Sequence, residues 1–506
     1  MIKNAAIAIV VLSLCVRVAS AQEHEHAAPE KLGKVSFPTS CAAGVQGKFN
    51  RGVALLHSFT YEPAEAAFRE VLSEDPSCVM AHWGIAMSYY HQLWPPFLAA
   101  DALAKGHGEL ELAMQAKGSS AGEQEYLAAA AIIFDATAGS YPERAGKYRD
   151  SMAALVQHHP EDSEAQIFYA LSLLSTASPQ DKTHQNQKAA AQILEPLYKK
   201  YPQHPGLAHY IIHADDNAEL AARGEKAARD YAQIAPSAPH ALHMPSHIYT
   251  RLGMWDDSIH TNQKARVAAH KQGDTGEELH AMDYMVYAAL QKGRDEQAAA
   301  ILNELKAMNL QSAKEFKVGY AATAMPVRYV VERQQWKDAT QCASPEGAPP
   351  QVTALAAWAR ALGYARSGNV PAAAAEVETL KKLVDQLLAA GNQYWAGQVQ
   401  IQVEEASAWV AMAEKKPEDA VVLMKKAADE EDAVEKLPVT PGPVVPAREQ
   451  LGTLLSIAGH HQEALVEFEK ALKDSPGRRG ALQGAMLSAK AAGSENKTAF
   501  YEALLK

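Results

Sequence analysis

Self-similarity constrains this chain more than any other feature. Near the C-terminus Leu451, Gly452, Ala464, Phe468, Ala471 and Pro476 fall at offsets for which each residue type has a packing reason. Small residues at Gly452 and Ala464 let two antiparallel helices approach, Phe468 fills the gap between them, and Pro476 ends the second helix where its missing amide costs nothing. Gly52, Ala64, Phe68 and Pro76 repeat the frame near the other end, and Ala408, Ala420, Met424 and Ala427 repeat it again. Looser copies run through Ala208 to Ala227, Ser246 to Ala265, Val286 to Leu305 and Ala361 to Leu380, with the small or apolar positions kept and the aromatic ones often lost.

These offsets are those of the tetratricopeptide repeat, whose period is about 34 residues. No segment shows sustained two-residue alternation bounded by turn signals. The chain is therefore read as all-α, with tetratricopeptide-like helical hairpins stacked into a right-handed superhelical solenoid. Residues 22–40 begin Gln-Glu-His-Glu-His and are polar, which predicts disorder. A longer array is expected over residues 41–343, a Pro/Gly linker at 344–350, and a shorter array over 351–506. A second break, Pro438 to Pro446, predicts an extended lead into the helix that carries Leu451.

Residues 1–21 read as a secretory signal peptide: Lys3, an apolar run from Ala5 to Leu14, then Ala19-Ser20-Ala21 before the cleavage point. The run is shorter than the roughly 20 apolar residues of a membrane span, and nothing later is longer. Cys15 is a poor acylation site, because Leu14 precedes it where a small residue is needed. The chain is thus expected to be periplasmic or secreted. Its formal net charge of -11 argues against nucleic acid as a partner, which needs a concentrated positive field. In an oxidising compartment Cys41 and Cys78, flanking the first hairpin, are expected to pair, stabilising the fold by about 3 to 4 kcal/mol. Cys342 is left over beside the Pro/Gly segment.

Histidine is the informative residue, with twenty in the chain. His209 and His213 lie four residues apart, on one helix face, the arrangement by which a helix offers two nitrogen ligands to one ion. His243 and His247 follow in the next repeat, with His240 before them, and His280 and Asp283 open the repeat after that. All fall on the first helix of their hairpins. In a stacked array such helices share the concave wall, so His209, His213, His243 and His247 are the primary metal candidates, and His240, His280 and Asp283 additional ones. Imidazole-rich sites suit copper, zinc, nickel or iron. Asp215 and Asp216 stand nearby as oxygen ligands or as acceptors for ring N–H groups. The bland alternative is a set of hydrogen-bonded groove histidines. Pro245 complicates the geometry, because it disfavours helix at Met244 and can kink or start the helix there, so that His240 and His243 need not share a face with His247. His24, third in a chain cleaved after Ala21, offers an incidental copper or nickel site with the terminal amine.

Catalytic motifs fail their context tests. Gly118-Ser-Ser120-Ala-Gly122 matches a hydrolase nucleophile turn by letters, but no strand precedes it, and Ser120 with Glu123 reads as a helix capping box. There is no phosphate-binding Gly-Lys loop and no His-Glu-x-x-His. The aromatic clusters at His82-Trp83-Gly84 and Tyr89-Tyr90-His91 read as hairpin packing.

Several segments resemble a family of exported bacterial tetratricopeptide-repeat proteins. They are Gly52-Val-Ala-Leu-Leu-His57-Ser-Phe59, Asp75-Pro-Ser-Cys78 with Trp83-Gly-Ile-Ala-Met87, His209-Tyr-Ile-Ile-His213-Ala-Asp215, and Pro239-His-Ala-Leu-His-Met-Pro-Ser-His-Ile-Tyr249 with Arg251-Leu-Gly-Met-Trp255. The likeness spans most of the mature chain and implies fold and export; it lends no activity. The leading expectation is an exported binding module whose histidine-lined groove holds a metal ion. The second is a metal-free scaffold that takes a protein or peptide of the cell envelope along that groove. A metal-dependent enzyme, which needs an open coordination position, ranks third.

Overall fold

A computed structural model describes residues 30–93, 98–116, 118–308, 310 and 314–505. The signal-peptide segment and His24 lie outside the described residues. The described residues from Lys31 onward form one compact unit. Among the described residues every regular element is helical, and the helices pair as hairpins whose leading members pack on one another. No helix there is long and apolar enough to cross a membrane.

The repeat residues do the packing their types predict. Phe68, on the trailing helix Tyr61–Glu74, sits between two glycines. A Cβ on Gly52 would lie 2.7 Å from its ring, and one on Gly84, in the next hairpin, 2.6 Å. Phe468 is held the same way by Gly452 and Gly484, at 2.9 and 2.2 Å. One aromatic ring thus fills the seam between consecutive hairpins, and only a residue without a side chain leaves room for it. Ser120 caps the helix Ala121–Phe134: the Glu123 amide donates to its hydroxyl, and the Ser120 amide donates to the Glu123 carboxylate at 2.7 Å. The nucleophile-like letters around Ser120 therefore belong to a helix start.

The expected disorder over residues 22–40 needs correction for its described part. Phe37 is buried and meets Tyr126 at 5.0 Å and Phe49 and Trp83 at 5.6 Å between ring centroids. Leu32 is buried too, and the Lys34 amide donates to the Gln203 carbonyl at 2.8 Å. Two apolar anchors are enough to fasten a segment whose average composition is polar. Cys41 and Cys78 are disulfide-bonded, with Cα atoms 4.7 Å apart. Cys342 is a free thiol that burial pushes up to about 11.

The 344–350 segment does not divide two arrays. The core that holds Leu451 and Phe468 already includes Tyr320, Ala324, Val327 and Val331 of the helix Phe316–Glu332, on the N-terminal side of that segment. In a solenoid each hairpin buries its face on the next, so prolines between helices mark a turn and not a boundary. Here the turn is tight: a Cβ on Gly363 would lie 2.7 Å from the Trp336 carbonyl, and Arg360 donates to the Cys342 carbonyl at 2.9 Å.

Two long-range closures shape the interior. The leading helix of the first hairpin, Gln46–His57, packs against Pro205–Asp215, so the array curls until its inner wall meets itself. The segment after Pro417–Asp432 then crosses that wall as a strap. The Glu435 amide donates to the Pro179 carbonyl, Lys436 Nζ lies 3.0 Å from Asp216, and Arg328 donates to the carbonyls of Gly442 and Pro443 at 3.1 and 3.2 Å.

Candidate metal centre

Three consecutive hairpins supply the site. Their leading helices are Pro205–Asp215, the pair Pro239–His243 and Pro245–Arg251, and Thr275–Gln291. Met244 keeps helical angles (φ -51°, ψ -36°) in spite of the proline after it. The two short helices therefore run nearly as one, and His243 and His247 stay on a common face. The kink that Pro245 could introduce does not part them, because burial holds Met244 in a conformation that proline merely disfavours.

Six imidazoles gather in two sets. His209, His213 and His240 form one and His243, His247 and His280 the other, and within each set the ligand atoms lie within 4.8 Å of one another. The proline-containing helix feeds both sets, so they adjoin: the rings of His213 and His247 are 6.2 Å apart between centroids, and those of His240 and His243 are 6.1 Å apart. Five of the six are buried, and His213 keeps partial exposure.

Hydrogen bonds fix which nitrogens face inward. His247 Nδ1 donates to Asp216 Oδ2 at 2.9 Å. His243 Nδ1 donates to Asn262 Oδ1 at 2.7 Å, and the amide is oriented by its own Nδ2 donating to the Ser258 carbonyl. His209 Nδ1 donates to the His57 carbonyl at 2.6 Å. Each acceptor places the ring proton on Nδ1 and leaves the lone pair on Nε2. Yet His243 Nε2 and His247 Nε2 lie 3.0 Å apart, and His209 Nε2 and His213 Nε2 lie 3.1 Å apart. For the first pair two lone pairs point at one another across a buried gap. A shared cation relieves that repulsion. Two nitrogens bound at about 2.0 to 2.1 Å to one ion are about 2.9 Å apart at a right angle and about 3.3 Å apart at a tetrahedral one.

Burial, with the neighbouring histidines adding to it, holds His209, His213, His243 and His280 well below the ordinary imidazole range. The rings are therefore neutral at pH 7, the form that binds metal. Carboxylates stand one layer out. Asp216 also accepts from Arg251 Nε at 3.0 Å, and Glu277 lies 3.4 Å from His240 Nδ1. The Tyr284 hydroxyl is 3.5 Å from His247 Nε2.

The other acids go elsewhere. Asp283 is not in the cluster: it is buried against Arg328, Nε to Oδ1 2.9 Å, and so anchors the guanidinium that holds the strap. Asp215 turns outward to Arg223 at 2.9 Å. A further buried group, His57, Glu164 and His204, was not singled out by sequence. His57 Nε2 and His204 Nε2 each lie 2.9 Å from a different oxygen of Glu164, and His57 Nδ1 lies 2.9 Å from the Tyr210 hydroxyl. These pairings read as a latch between the first hairpin and its distant neighbours. Gly206 makes it possible, since a Cβ there would sit 2.6 Å from His57 Nδ1.

The architecture is that of a tetratricopeptide-like solenoid. No family model and no curated protein matches the chain. Among solved structures, the human IFIT1 dimer with m7Gppp-AAAA is similar at 15% identity, over 90% of this chain and 88% of that one, with a TM-score of 0.37. A monomeric IFIT1 mutant with Gppp-AAAA is similar at 12% identity, over 84% and 90%, with a TM-score of 0.39.

Proposed function

We propose that this protein is an exported helical-repeat binding protein whose two adjoining three-histidine sets hold a pair of divalent transition-metal ions. The observation that carries the reading is the facing of His243 and His247 through Nε2, with both Nδ1 protons committed to Asn262 and Asp216. All-imidazole donors suit copper, zinc, nickel or iron over calcium or magnesium. Three protein ligands leave a coordination position open, as in sites that take an outside ligand, whereas structural zinc sites are closed by four. The Cys41–Cys78 disulfide supports an oxidising location, periplasmic or secreted. A peptide lying along the leading helices is the less favoured reading, because the chain's own strap already crosses that face.

Metal analysis of the tag-free mature protein tests this. Two ions per chain are expected in the native protein, with His213→Ala and His247→Ala each losing one. Equal and negligible metal in all three proteins would remove the proposal. Determination of the mature N-terminus tests export, with Gln22 expected as the first residue.

A further inference from the structure

Beyond the imidazole site, the interior holds a cavity of about 650 Å³ between the strap and the leading helices Phe316–Glu332, Pro350–Arg366 and Gln393–Ala413. That volume is in the range of small-molecule sites. Its wall combines aromatic rings with carboxylates of a particular kind. Trp395 is the centre of a ring cluster, 5.3 Å from Tyr394 and 6.1 Å from Tyr320 between centroids, and Trp358 completes the wall.

Among the described residues the cations on the wall, apart from the exposed Lys473, are already committed. Lys182 pairs with Glu435, Arg251 and Lys436 pair with Asp216, and Arg448 pairs with Asp432. Glu405 and Glu431 are different. Glu405 accepts from the Gln450 amide at 2.6 Å and Glu431 from the Ala447 backbone amide at 2.7 Å, and neither is in an ion pair among the described residues. Burial pushes both carboxyls up, with Glu431 adding to it at Glu405 and Asp432 and Asp474 adding to it at Glu431. Three buried polar atoms on the same wall, Trp395 Nε1, Thr250 Oγ1 and Gln402 Oε1, have no hydrogen-bond partner among the described residues. Buried polar atoms without partners are uncommon, and several around one cavity point to an occupant.

We propose that this cavity binds a small organic ammonium compound, held by Glu405 and Glu431 and covered by the faces of Trp358, Trp395, Tyr320 and Tyr394. A bound ammonium favours the ionised form of Glu405 and Glu431, which burial disfavours in the empty cavity, and the resulting carboxylates are its counter-charge. The ring faces attract a cation through their quadrupoles. The Gln402 carbonyl accepts from the ammonium N–H, and the unpartnered indole N–H and hydroxyl provide for a polar group elsewhere on the ligand.

Calorimetric titration of the full mature chain with 1,4-diaminobutane, alongside 1,4-butanediol as its neutral counterpart, tests the proposal. The diamine is expected to saturate at one per chain and the diol to give no binding. Glu405→Gln is expected to weaken the diamine by at least about tenfold, and Trp395→Phe, which keeps the ring packing, by a smaller factor. His213→Ala should leave diamine affinity unchanged, since amines also ligate metals. Absence of diamine binding, equal binding of the diol, or an affinity that follows His213 would each overturn the idea. So would an unchanged affinity in a folded Glu405→Gln. Should that variant fail to fold, the diamine and diol comparison on the native chain decides.

Discussion

Asn262 stands on a trailing helix and would touch no metal, yet its replacement should separate the two proposed centres. In Asn262→Leu the side chain is close in volume, but His243 Nδ1 loses its acceptor at 2.7 Å. A buried N–H left without a partner costs about 1 to 3 kcal/mol. The ring has an escape: moving the proton to Nε2 lets it donate to His247 Nε2, 3.0 Å away. The metal-free fold then recovers most of the loss, while the lone pair needed by the metal is gone. The whole penalty therefore falls on binding, and removal of such an outer partner lowers affinity by about 10- to 100-fold, equal to about 1.4 to 2.7 kcal/mol. Competition against a chromogenic chelator reads this directly. The expected curve has one site shifted by that factor and the other, built on His209, His213 and His240, unmoved. Two unshifted sites in a variant with normal circular dichroism would refute the tautomer argument, and two equally shifted sites would refute the division into two sets.

Removing the Cys41–Cys78 bond by double Ser substitution should lower stability by about 4 kcal/mol on the chain-entropy model, for a sequence separation of 37 residues; urea unfolding under oxidising and reducing conditions measures it. Gly84→Val should cost about 1 to 3 kcal/mol through overpacking, because its Cβ would meet the Phe68 ring at 2.6 Å, and Phe68→Leu in the same chain should recover part of the lost denaturation midpoint. Burial alone would raise the Glu164 carboxyl, but His204 and His57 outweigh it and hold it at about 2, below its ordinary 4.5. A depressed carboxyl stabilises above its unfolded value and loses that contribution as pH falls toward the folded one. The urea midpoint of Glu164→Gln should therefore lie well below that of the native protein at about pH 6, and the gap should narrow by about pH 3.5.

Much of the fold was legible because the helical period and the tetratricopeptide offsets are local. Gly52, Phe68, Gly452 and Phe468 announce their seam within one hairpin. So do the four-residue spacings of His209 with His213 and of His243 with His247. What was not legible depends on how hairpins far apart in sequence meet. Nothing near His57 indicates that its carbonyl would orient His209, since that contact needs the array to curl through several repeats first. Asp283 looked like a ligand by position, and Arg328, 45 residues further on, claims it. The division of six histidines into two sets was hidden as well, because His240 and His243 sit on one helix and part company only against their neighbours. Composition misjudged residues 31–40 for a different reason: averages conceal two well-placed anchors, Leu32 and Phe37.

The strap sets an order of assembly. Asp216, which orients His247, is itself neutralised by Lys436, a residue 220 positions later in the chain. An unfinished or clipped polypeptide that stops short of Lys436 has every imidazole but a carboxylate relieved of only part of its counter-charge, and its inner wall stands open to solvent. On the proposed reading, intact length becomes a condition for a finished centre, and a chain exported N-terminus first would take up metal only after Lys436 had crossed.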